Sequence, residues 1–156
     1  MLFYALVNQK YNSADKILEY INKANITTLK VGRNQMKPVA ATVISPNFEY
    51  FKIMIEKEKT TQGYDFDSIM VEDSKLTHQL RSLVSYLCKK HRITKGKNED
   101  IKQMFGFLRT NGYSIKKDED KRRVFRQLIM SFNLDSEQAD LDQIWSDYYG
   151  LVKEED

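Results

Sequence analysis

Two five-residue stretches share one pattern and stand 33 residues apart: Ile17-Leu18-Glu19-Tyr20-Ile21 and Tyr50-Phe51-Lys52-Ile53-Met54. In each, a single charge splits four apolar residues. That spacing predicts a helix with its apolar groups on one side and the charge on the other. Leu83-Val84-Ser85-Tyr86-Leu87 follows 33 residues after the second stretch and repeats the apolar positions. A recurrence of this length means one supersecondary unit used several times, each too small to bury its own apolar face.

The chain is 41% apolar and 30% charged over 156 residues, enough to bury a core. With six Gly and two Pro it lacks the turn chemistry of a many-stranded β fold. Its one cysteine, Cys88, forms no internal disulfide, so a reducing, intracellular setting is expected: cytoplasm, or host cytoplasm or nucleus for an effector. The apolar start Met1–Val7 reads as a core segment rather than a leader, and no stretch predicts a membrane span. Charge is unevenly placed. Residues 1–74 carry nine basic and nine acidic groups, 75–126 carry fifteen and five, and 135–156 carry one and eight. Either the basic middle meets an anionic partner or the acidic end folds back on it.

Read in order, residues 3–8 predict a short helix, and Asn12 or Ser13 caps a second that reaches about Lys23. Residues 27–34 predict a loop or short hairpin. Pro38 opens a short helix with small Ala40 and Ala41. Ser45 and Pro46 are read as cap and first residue of a helix over Phe48–Lys57. After a polar loop, residues 74–90 read as one long helix, 98–110 as its partner, and Gly112 as a left-handed cap. Helices over 118–131 and from Asp135 to Tyr148 precede an acidic tail at 153–156.

Residues 37–56 are similar to one ankyrin repeat. The family pattern T-P-L-H-x-A is met by Lys37-Pro38-Val39-Ala40-Ala41-Thr42, with Pro38 and Val39 fitting and Lys37, Ala40 and Thr42 departing. The second-helix pattern falls on Asn47–Glu56. The resemblance runs best over residues 13–57 and more weakly over 74–115. It implies an all-α fold: a short ankyrin-like stack of antiparallel helix pairs with C-terminal capping helices. One helical-repeat domain is expected over 1–156, with a partial first repeat at 1–26 and a second at 27–59. An extended irregular repeat at 60–115 and terminal helices with the acidic tail at 116–156 complete it.

No catalytic constellation is evident. Cys88 and His91 have ligand-pair spacing but lack a second pair, so neither a metal nor a cofactor is expected. Cys88 reads as a core-edge residue. Asp65 with Asp67, and Glu72 with Asp73, read as solvated surface. The resemblance implies a non-enzymatic protein–protein interaction module, of a kind that suits a viral or bacterial protein modulating a host factor. It places contacts at Lys30, Arg33, Asn34, Gln35 and Lys37 in the first loop and at Tyr64, Asp65 and Phe66 in the second. Tyr149 is a further candidate, because it and Tyr148 cannot both face inward. The alternative is nucleic-acid association through Lys89, Lys90, Arg92, Lys95 and Lys97 with Lys116, Lys117, Lys121, Arg122, Arg123 and Arg126, by phosphate contacts. Self-association through an uncapped repeat end is a third reading.

Overall fold

The structure is a computed structural model that describes residues 2–20, 29–31, 34–60, 63–72, 80–94, 97–113 and 121–122. It is mostly helical, with two short antiparallel strand pairs among the described residues. The chain divides into two compact units, Met1–Leu83 and Val84–Asp156. The division falls inside the segment read as one extended repeat.

In the first unit α1 (Leu2–Val7) buries Leu2, Phe3, Ala5 and Leu6. It ends sharply. Gln9 takes a left-handed conformation (φ 58°), its N–H bonds Leu6 O at 3.2 Å, and the Lys10 N–H bonds Ala5 O at 2.8 Å. These bonds satisfy carbonyls that the helix end would orphan. α2 (Tyr11–Tyr20) starts at once, so Asn12 and Ser13 lie in its first turn instead of capping it; the Lys10 carbonyl takes the Ala14 N–H at 3.0 Å.

β1 (Leu29–Val31) and β2 (Asn34–Met36) pair with Lys30 opposite Gln35. This is the short-hairpin form of the two readings for residues 27–34. α3 (Pro38–Ile44) follows directly, with Pro38 in the first turn, where its missing N–H costs nothing. Its residues 38–43 are all buried. Ala40 and Ala41 are fully covered, and α3 packs against both α1 and α4. Ser45 does not cap the next helix. It closes α3, and its hydroxyl donates to the Val7 carbonyl at 2.5 Å, tying the ends of α1 and α3. The cap of α4 (Phe48–Lys59) is Asn47, which accepts from the Tyr50 N–H at 3.1 Å.

The buried stripe of α4 is Phe51, Met54, Ile55 and Glu58, at the i, i+3, i+4, i+7 spacing of one helix face. Ile53, placed on the inner side by the sequence pattern, is exposed. The pattern spans both flanks of the stripe, and packing selects one of them. A 3-10 turn at Phe66–Ser68 leads into β3 (Met70–Glu72), which pairs with β4 (Leu80–Ser82). β2 runs against β3, with the Glu72 N–H 3.4 Å from the Met36 sulfur.

The long helix expected over 74–90 is not formed as such. Leu80–Ser82 is strand, and α5 (Leu83–Ile93) begins after it. Pairing with Met70–Glu72, eight to twelve residues back, supplies those backbone groups with a partner that apolar spacing alone does not reveal. α5 buries Leu83 through Cys88 and His91, so Cys88 is a core residue, not a core-edge one. α6 (Glu99–Thr110) has the expected start: Asn98 accepts from the Ile101 N–H at 3.1 Å, and Glu99 and Asp100 favour the positive helix end. Ile101, Met104, Phe105 and Leu108 are buried, while Phe107 is half-buried. Gly112 takes the left-handed position (φ 72°), as expected, and the Tyr113 N–H bonds Leu108 O at 2.9 Å. Lys121 and Arg122 are helical; the other residues of the two expected terminal helices and the acidic tail lie outside the described residues.

Candidate functional site

The first expected contact loop is the β1–β2 hairpin. Its backbone brings Lys30 and Gln35 opposite each other, with Val31 opposite Asn34 beside the turn. Arg33 lies outside the described residues. Lys37 is not a free surface group: its Nζ sits 3.1 Å from Glu58 Oε2, joining the start of α3 to the end of α4. The Glu58 side chain is only 2% exposed, so this is a buried carboxylate held by one ammonium.

The second loop lies beyond α4. Asp65 accepts from the Asp67 N–H at 3.1 Å and so holds the turn that carries Phe66. Tyr64 is half-buried. Burial, then the negative charges of Glu58, Asp65, Glu56 and Asp67, push its hydroxyl above the usual 10.0. Lys37 and Tyr64, expected on separate loops, are thus linked through one carboxylate, Lys37 by an ion pair and Tyr64 by its electrostatic influence. Glu58 itself escaped the sequence reading because it looked like one charge in the run Glu56-Lys57-Glu58-Lys59. Its signal was positional: it stands seven residues after Phe51, on the buried stripe.

A second cluster links α2 to α4. The Tyr11 and Tyr50 rings stack at 4.9 Å, and the Tyr50 hydroxyl donates to Asp15 Oδ1. Partial burial, then that hydrogen bond and the charges of Asp15 and Tyr11, push Tyr50 up to about 12 from 10.0. Tyr50 had been read as helix core. On the outer side of α4 an open groove of ≈ 390 Å³ is lined by Lys52, Ile53, Glu56, Lys57 and Thr60, a mixed-charge surface.

The basic middle is only partly described. Lys89, Lys90 and Arg92 are half-buried on α5 and Lys97 is exposed. Lys90, His91 and Arg92 form the last turn of α5, where positive charge complements the helix dipole. The Lys90 ammonium lies 5.8 Å from the Tyr86 ring centre. Burial, then the charge of Lys89, lowers its pKa below 10.5. Lys89, Arg92, Lys97 and Lys121 all interact with other groups of the chain. Lys95, Lys116, Lys117, Arg123, Arg126 and Tyr149 lie outside the described residues.

His91 is fully buried, its ring 4.9 Å from that of Phe105 between α5 and α6. Among the described residues no three His, Cys, Asp or Glu side chains are grouped to hold a metal ion. No described helix is long and apolar enough to cross a membrane. No family model, curated protein or solved structure matches this chain.

Proposed function

We propose that this chain is a non-enzymatic protein-binding module built from ankyrin-like helix pairs, contacting its partner through the β1–β2 hairpin and the turn at residues 63–68. The observation that carries this reading is the order of elements. A strand pair runs straight into a short helix and then a 12-residue helix capped by asparagine, and a second strand pair again leads into two helices. In this reading the strand pairs are the loops of the module, and loops carried on a helical scaffold suit recognition. Lys30 and Arg33 supply the hairpin's positive charge and Asn34 and Gln35 its hydrogen-bonding groups.

The test is affinity capture from native lysate with the full chain as bait, in nuclease-treated and untreated halves. A Lys30→Glu/Arg33→Glu chain runs in parallel. The expected result is a defined protein retained after nuclease treatment and lost with the double charge reversal. Recovery that vanishes with nuclease would overturn the reading and move the function to the basic residues of 89–126. Equal retention by the reversed hairpin would remove the hairpin from the contact.

A further inference from the structure

The Glu58 carboxylate is incompletely satisfied. The residue is 1% exposed, Lys37 Nζ reaches Oε2 at 3.1 Å, and Oε1 has no hydrogen-bond partner among the described residues. A carboxylate has room for about four hydrogen bonds, and a buried one that lacks them keeps its desolvation cost. Asp65 and Asp67 stand on the turn that follows α4, and their charges, with those of Glu58 and Glu56, act on Tyr64. Tyr64 lies among these charges as a half-buried ring.

We propose that Glu58 is the anchor for an arginine side chain of the protein partner, with Lys37 an internal stand-in that this arginine displaces. The inference rests on the protein-binding reading above. An ammonium is a point charge and holds one carboxylate oxygen at a time. A guanidinium presents two parallel N–H groups that match both oxygens, so it satisfies Oε1 and Oε2 together. Lys37 is the more exposed member of the pair, its side chain 25% exposed, so it is the one that moves out as the guanidinium takes over the Glu58 charge. Asp65 and Asp67 at the rim draw in a basic segment and repel an acidic one. A divalent metal does not fit, because no third carboxylate or histidine joins the group among the described residues.

The experiment titrates the full chain with N-acetyl-arginine methylamide, its lysine counterpart and its neutral citrulline counterpart, following the Tyr64 and Glu58 amide signals by NMR. The arginine probe is expected to shift both signals, the lysine probe to bind about tenfold more weakly, and citrulline to do nothing. Lys37→Met vacates the site, and once circular dichroism shows it folded it is expected to tighten arginine binding by about tenfold. Lys37→Met/Glu58→Gln keeps a neutral pair, so its fold is checked by circular dichroism, and it is expected to abolish the response. No response in the Lys37→Met chain, an undiminished response in the double variant, or equal response to lysine and arginine would each overturn the proposal. Capture of the lysate partner separates the two levels. A partner retained by the double variant sinks the arginine site and leaves the module reading standing. A titrating arginine probe with no partner ever retained does the reverse.

Discussion

The helix pair Pro38–Lys59 and the helix pair Leu83–Thr110 each follow a strand pair, yet only their second halves are alike. α4 and α6 are both 12 residues long, and each starts at an asparagine whose Oδ1 accepts from the third N–H of the helix at 3.1 Å. The first halves diverge. α3 is seven residues of small and apolar character, closed by Pro38 and Ser45. α5 is 11 residues and buries Ser85, Cys88 and His91. The contrast separates two kinds of specification. A second helix is set locally, by its cap and its stripe. A first helix is set by what it must fit against.

The largest test of the shared half is Phe51→Ala against Phe105→Ala. Both rings are fully buried on the second helix of a pair. Each truncation is expected to cost about 3–5 kcal/mol in urea unfolding. A small cost at one position only would break the likeness between α4 and α6. The divergent half is probed by Ala41→Leu. The added branch has no room between α3 and its two neighbours, and the loss expected is about 1–3 kcal/mol. A neutral Ala41→Leu would show that α3 is not closely packed and that its shortness has another origin.

The caps come next in size. Asn47→Ala and Asn98→Ala are each expected to cost about 1 kcal/mol by thermal or urea unfolding, and the glycine variants only a few tenths. Agreement between the two positions would sharpen the local-specification argument. A cost at only one would mean that its surroundings, rather than the cap bond, position the helix.

What the sequence revealed follows the same division. Pro38 in a first turn, the helix start at Asn98 and Gly112 in a left-handed turn all rest on chemistry within a few residues, and all were legible. Ser45 was misassigned because its hydroxyl bond goes to Val7, 38 residues away. Leu80–Ser82 reads as helix because Leu80 keeps helical spacing with Leu83, Val84 and Leu87, whereas the chain pairs it with Met70–Glu72 eight to twelve residues back. Of the interaction residues, the loops were legible as loops. Lys37 and Glu58, 21 residues apart, were not legible as a pair, since each alone is an ordinary charge on a polar segment.

Two helix ends extend the comparison. α1 and α6 finish with the same pair of backbone bonds around a left-handed residue, but that residue is Gln9 in one and Gly112 in the other. A side chain in this conformation is strained by roughly 1–2 kcal/mol, part of which glycine returns as extra freedom in the unfolded chain. Gln9→Gly is therefore expected to stabilise by about 0.5–1 kcal/mol and Gly112→Ala to destabilise by a similar amount. Opposite signs at the two positions, measured as shifts in Tm, are the signature.

The smallest effect belongs to the tyrosine link between α2 and α4. With Tyr50 at about 12 in the folded chain and 10.0 as its ordinary value, the folded state holds the phenolic proton more tightly than the unfolded state. The stabilisation is complete below pH 10.0, declines as pH rises, and is gone above about 12. Tyr50→Phe removes both hydroxyl and titration. The stability difference between wild type and variant should be flat at neutral pH and shrink through that window. The tyrosines away from this cluster are common to both chains and cancel. Asp15→Asn should narrow the window, because it removes the charge that opposes ionisation while leaving an acceptor in place. A wild-type minus Tyr50→Phe difference that stays constant to high pH would show that the ring stack with Tyr11, and not the hydrogen bond to Asp15, holds the two helices together.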